Sequence, residues 1–148
     1  MKPGVPDTPA ELKTRALRHL VRREHSRAEL ERKLAPHAGS SEALCGVLDL
    51  LLSKRQVSDE RFAQERARVL SRKYGAARIK HELRSKGVAD EIVQRAASID
   101  GELERASAIL SRKYREPATT REERAKRARF LQGRGFSYDI IRRLVVGK

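Results

Sequence analysis

The chain has 148 residues, with 34 Lys or Arg against 20 Asp or Glu, a net charge of +14 and a sequence pI near 10.7. Only 4% of it is aromatic and Trp is absent, so it can build one small domain or a row of small modules with a thin aliphatic core. That charge favours a polyanionic partner, and the helical periodicity of the apolar residues argues against disorder.

The charge is spread along the chain. Residues 1–57 hold 11 basic and 7 acidic side chains, residues 58–100 hold 10 and 7, and residues 101–148 hold 13 and 6. The last third is the most basic. Val47 to Leu52, the longest apolar run, is broken by Asp49 and is too short to span a bilayer. Met1 to Asp7 contains no apolar stretch, and residues 1–8 read as a flexible N-terminus. With Cys45 as the sole cysteine, the expected compartment is a reducing one, the cytoplasm.

Thr8-Pro9-Ala10-Glu11 is a capping box with Pro at the first helical position, and it opens a helix with Leu12, Ala16, Leu17, Leu20 and Val21 at helical spacing. Ser26-Arg27-Ala28-Glu29 is a second box before a short helix carrying Leu30 and Leu34, with Pro36 and Gly39 near its end. Ser40-Ser41 begins a third, with Leu44, Val47, Leu48, Leu51 and Leu52 as its stripe. Ser58-Asp59-Glu60 caps the next, whose buried face is Phe62, Val69 and Leu70 and whose end is Gly75. A helix with Ile79 and Leu83 stops at Gly87, and another carries Ile92, Val93, Ala96 and Ala97. Helices over about Glu102–Arg115 and Thr120–Arg134 follow, the second stopped by Gly135. The last starts at Ser137 with Ile140, Ile141, Leu144 and Val145. Nothing alternates as a strand does.

These nine helices repeat in threes. Leu30 and Leu34 recur as Ile79 and Leu83, 49 residues on. Lys86-Gly87, Ile92, Val93 and Ala96 recur as Arg134-Gly135, Ile140, Ile141 and Leu144, 48 residues on. Leu70-Ser71-Arg72-Lys73-Tyr74 recurs letter for letter as Leu110-Ser111-Arg112-Lys113-Tyr114, but 40 residues on. The third unit therefore has about eight extra residues between its first two helices, falling in Arg115 to Thr119 as a loop. The fold is all-α, an elongated array of three tandem three-helix repeats over residues 9–57, 58–100 and 101–148, with the insertion near 115–120.

Catalytic chemistry is hard to place. His19, His25, His37 and His81 lack zinc-site spacing, and Cys45 beside Leu44 and Leu48 reads as a small buried hydrophobe. Asp59-Glu60, Asp90-Glu91 and Glu122-Glu123 sit in first turns, where they complement the helix dipole. Gly133-Arg134-Gly135 follows a helix rather than a strand, so it is no dinucleotide fingerprint. The expectation is a non-enzyme without metal or cofactor, monomeric and unconnected with membranes. The candidate binding residues are the repeated cations Arg72, Lys73, Arg78, Lys80, Arg84, Arg112 and Lys113, with Arg124, Lys126, Arg127, Arg129 and Arg134. Each cation taken singly is equally a helix C-terminal partner. Tyr74 and Tyr114 could stack on bases, but each continues an apolar stripe, and packing is the favoured reading.

Three stretches carry a family pattern: Ala16 to Leu34; Ser58-Asp59-Glu60-Arg61-Phe62-Ala63 with Gly75 to Gly87; and Phe130-Leu131 with Arg134-Gly135-Phe136-Ser137-Tyr138-Asp139-Ile140-Ile141. Together they resemble the bacterial RecX regulatory proteins, over nearly all the chain after residue 9. The resemblance implies three tandem three-helix units and a partner, the RecA–DNA filament. Its ATPase, strand-exchange and coprotease activities would be reduced, with consequences for recombination, DNA repair and the SOS response. Weak, non-specific binding to single- or double-stranded DNA is the companion expectation. A basic DNA-binding protein that merely competes for DNA is the alternative.

Overall fold

A computed structural model of the protein describes residues 4–146. Its helices are α1 (Pro9–Arg22), α2 (Arg27–Leu34), α3 (Ser41–Ser53), α4 (Asp59–Leu70), α5 (Ala76–Ser85), α6 (Asp90–Ala96), α7 (Glu102–Lys113), α8 (Arg121–Gly133) and α9 (Tyr138–Ile141). A 3-10 turn, Ala35–His37, extends α2, and α9 widens into a π turn over Arg142–Val146. The only β-type pairing among the described residues is a bridge between Asp7 and Ala38. None of their helices is long and apolar enough to cross a membrane.

Hydroxyl caps set most of the starts. Thr8, Ser26, Ser40, Ser58, Thr120 and Ser137 each accept a hydrogen bond from the backbone N–H three residues on. Thr8–Glu11 and Thr120–Glu123 close the reciprocal box. Glu123 Oε1 accepts from the Thr119 N–H, the Thr119 hydroxyl and the Thr120 N–H, each at 2.9 Å, and these bonds draw its carboxyl down to about 2. Ser26 caps as expected, but Glu29 turns instead to Arg23. Of the N-terminal segment expected to be flexible, residues 1–3 lie outside the described residues. Asp7, however, is buried, its N–H bonded to the His37 carbonyl and its carboxylate to Arg15.

The fold is an array of three-helix units, each with its own core. Leu12, Ala16, Leu30, Leu34, Leu44, Val47, Leu48, Leu51 and Val57 fill the first. Phe62, Ala63, Ala67, Ile79, Leu83, Val88, Val93 and Ala97 fill the second. Ala106, Ile109, Leu131, Phe136, Ile140 and Ile141 fill the third. Leu34, Leu83 and Leu131, at spacings of 49 and 48, are fully buried in all three.

Four expectations need correction. Val21 is 86% exposed, because nine residues after Leu12 it lies roughly half a turn round the helix from the core. Val69 is exposed on a cavity of about 280 Å³ between the first two units, beside Phe62. Cys45 is exposed, one step round from the Leu44–Leu48–Leu51 stripe. Gly75 does not close α4. That helix ends at Leu70, and Gly75, in extended backbone at φ −87°, precedes α5.

Gly75 is needed for a different reason. A Cβ there would lie 2.6 Å from the Gly135 carbonyl oxygen. The second helices of the units stack end to end, α8 on α5 and α5 on α2, and this glycine is where two of them meet. The Gly75 N–H donates to the Arg134 carbonyl at 2.7 Å, and the Ala77 N–H to the Gly135 carbonyl at 3.2 Å. At the equivalent place one unit earlier, the Ser26 hydroxyl donates to the Lys86 carbonyl at 2.6 Å. A first-turn acid of the following unit completes each junction. Asp59 accepts from the Arg27 N–H and Glu102 from the Ala76 N–H, both at 2.8 Å. Orphan amides at one helix end thus meet orphan carbonyls or carboxylates at another. The left-handed glycines Gly87 (φ +79°) and Gly135 (φ +90°) allow the contact. A Cβ would reach 2.5 Å from the Ala28 Cβ and the Arg78 Cβ, respectively.

Candidate polyanion interface

The two Leu-Ser-Arg-Lys-Tyr copies end α4 and α7, and the fold brings them together where the second unit meets the third. Arg112 Nη2 donates to the Arg72 carbonyl at 2.9 Å, and Arg134 Nη1 to the Lys73 carbonyl at 3.1 Å. In the opposite direction, Arg78 Nη1 donates to the Gly133 carbonyl at 3.3 Å. These carbonyls lie at or just beyond helix C-termini, where no further turn supplies a donor. The capping role of these cations is therefore real, but it reaches across units.

The aromatic residues hold the same cations. Arg78 stands 4.6 Å and Arg134 5.5 Å from the centre of the Tyr74 ring. Arg134 is also 4.9 Å from Phe130, which Lys113 approaches at 5.1 Å. Lys113 lies 5.7 Å and Arg127 4.6 Å from Tyr114, whose ring meets Phe130 edge-on at 6.0 Å. The result is an alternating series of cations and rings in which every ring carries two cations. Tyr74 also packs against the second core, and Tyr114 reaches the third only through Phe130; both are half-buried.

No carboxylate forms an ion pair within 4.0 Å with Arg72, Lys73, Arg78, Arg112, Lys113, Arg127 or Arg134 among the described residues, though the charge of Arg72 helps Arg68 to lower the Glu65 carboxyl. Those seven of the twelve candidate cations share one region. Arg84 does not belong to it, being paired with Asp90 at 2.8 Å. Lys80 is half-buried on α5 and acts on the same Asp90. Arg124 sits half-buried in the early turns of α8. Lys126 and Arg129 are exposed, roughly 80–160° round α8 from Arg127 and Arg134. Phe130 and Glu102 went unassigned from sequence. Phe130 had a signal, the aromatic at the end of a helix otherwise crowded with Arg, whereas Glu102 had none.

The junction between the first two units has different chemistry. Glu29 is buried and bonded to Arg23, with Lys86 Nζ at 3.9 Å. Burial pushes its carboxyl up, but the bond and charge of Arg23, with His25 and Lys86, bring it net below the ordinary 4.5. Arg61 pairs with Glu24 at 3.0 Å. His25 is 1% exposed, between the Arg23 carbonyl at 3.0 Å and Lys33 Nζ at 2.8 Å. A carbonyl only accepts and an ammonium only donates, so Nδ1 carries the proton and the ring is neutral. Burial holds its pKa below the ordinary 6.5 against the opposing carbonyl bond. Among the described residues, no group of three His, Cys, Asp or Glu is arranged to hold a metal ion.

Comparison with known proteins follows these units. Residues 58–96 match the second three-helix domain of RecX, and residues 100–145 match the third. A regulatory protein RecX of Ralstonia nicotianae is 40% identical over 146 residues, 97% of this chain and 92% of that one. The regulatory protein RecX of Herbaspirillum seropedicae is 43% identical over 140 residues, 93% and 91% of the two chains. The crystal structure of RecX from Lactobacillus salivarius is similar in fold, with a TM-score of 0.81 at 24% identity over 95% of this chain and 96% of that one.

Proposed function

The chain belongs to the RecX family of regulatory proteins, and from that premise we propose that it regulates the RecA recombinase. It binds the RecA–DNA filament and reduces its ATPase, strand-exchange and coprotease activity, without chemistry of its own. It thereby acts in recombination, repair and the SOS response, in the cytoplasm.

The observation that carries this reading is the run of seven cations without carboxylate partners, across a junction of stacked helices. A charged surface along an elongated array suits a repeating polyanionic assembly better than a point ligand. Differential affinity for a less active filament state then shifts its population. In the test, substoichiometric protein is added to RecA filaments preformed on single-stranded DNA, and ATP hydrolysis is followed. Slowing is expected, with loss of the effect in a chain carrying Arg78→Ala, Arg112→Ala and Arg134→Ala together. If hydrolysis slows only once free DNA is saturated, the protein is a non-specific DNA binder acting by competition, a reading the same cations support.

A further inference from the structure

Resting on the reading of this face as the anionic contact, we propose that the cations standing on Tyr74, Phe130 and Tyr114 recognise the phosphodiester backbone alone. Nucleic acid is then taken whatever its bases, and a strand with no bases is bound as well.

The geometry separates two roles for aromatic residues at a nucleic-acid surface. Exposed rings with free faces stack on bases. Here each of the three half-buried rings already carries two cations, at 4.6–5.7 Å. A stacking base would have to displace the very groups that attract its phosphate. The rings instead hold guanidinium planes in place, so that little side-chain freedom is lost when phosphate binds. Arg78 and Arg134 each have one Nη on a helix-end carbonyl, which fixes them further. A guanidinium has five N–H donors, so donors remain for phosphate oxygens, and Arg72 and Lys73 stand exposed beside them. No carboxylate among the described residues forms an ion pair with the group, and only Arg72, at its edge, acts on one, Glu65, which Arg68 already holds.

The intact chain is titrated, by fluorescence anisotropy at several salt concentrations, into a labelled oligothymidylate and a strand of equal length made wholly of abasic sites. Inorganic polyphosphate serves as competitor. The two strands are expected to bind within about threefold of each other with equal salt slopes, and polyphosphate to displace both. Replacing Arg134 and Lys113 by Gln lowers the slope for both strands by about 2, circular dichroism confirming the helices. A Tyr74→Leu chain, which keeps apolar bulk but frees the cations, weakens both strands alike. Abasic binding tenfold or more weaker than thymidylate binding overturns the proposal, because bases are then read. Unchanged slopes in the double variant, or no binding to any probe, overturn it too. Slowing of RecA filaments without binding to either strand would leave the regulatory reading standing and this one refuted.

Discussion

The two junctions of the array share a backbone plan and differ in what their cations face. In both, the N-terminus of one second helix meets the C-terminus of the next across a left-handed glycine, with an acid of the following unit on the N1 amide. At the first junction carboxylates take most of the cations, as Glu29 takes Arg23 and Glu24 takes Arg61, while Arg32 donates to the helix-end carbonyl of Ser85. At the second the cations meet helix-end carbonyls and aromatic rings. A cation on a carbonyl or a ring is held in place but keeps its charge. The same stacking geometry therefore yields a largely neutralised seam in one place and a charged surface in the other.

The sharpest way to break this comparison is at the shared glycines. Gly135→Ala is expected to cost about 3 kcal/mol in urea unfolding, because a strained φ and a Cβ 2.6 Å from the Arg78 backbone nitrogen act together. Gly87→Ala meets only the Ala28 side chain at comparable range and should cost less, about 2 kcal/mol. Equal losses would mean that the backbone approach at Gly135 yields freely. Ser26→Ala removes a helix cap and leaves the Lys86 carbonyl without its partner at the polar junction, a loss of about 1.5 kcal/mol by the same assay.

Acid should separate the junctions next. His25 and Glu29 both have folded pKa values below their ordinary ones, so each stabilises fully above its unfolded value and less as pH falls through the folded one. Stability measured from pH 7 downward should decline first below 6.5, where unfolded His25 takes up a proton, and again below 4.5, where Glu29 adds to the limb set by Glu123 and by the arginine-paired carboxylates Asp7, Glu65 and Asp90. His19, lowered by burial and the cations around it, adds to the first limb. Glu29→Gln should make the lower limb shallower and leave the upper one unchanged, and a lower limb unaltered by that substitution would refute the assignment.

Smaller effects belong to the charged side. Arg134→Ala gives up one hydrogen bond and two ring contacts, about 1 kcal/mol, and Arg134→Lys should restore only part because an ammonium lacks the planar fork. Arg84→Ala, which loses only an exposed pair with Asp90, should leave stability and filament inhibition unchanged within error.

Much of this was legible one element at a time. The caps at Thr8, Ser26, Ser58 and Ser137, the glycine stops at Gly87 and Gly135, and the buried Leu34–Leu83 pair follow from local rules of spacing and hydrogen bonding. The misreadings share a cause as well. Val21, Val69 and Cys45 read as inward because they are apolar, although burial depends on helix phase and on where a neighbouring unit leaves a gap. Gly75 looked like a stop because its real constraint, the Gly135 carbonyl, lies 60 residues away.

The helices, their threefold repetition and the basic excess can be read without coordinates, because capping, periodicity and charge are properties of short stretches. Which cations would remain unneutralised was decided only by the tertiary structure. Arg84 and Arg112 look alike as helix-end arginines, yet one folds beside Asp90 and the other beside the Arg72 carbonyl. A charge keeps its reach into solvent or loses it according to the partner that the fold places within about 4 Å, and that partner here comes from another helix and often from another unit.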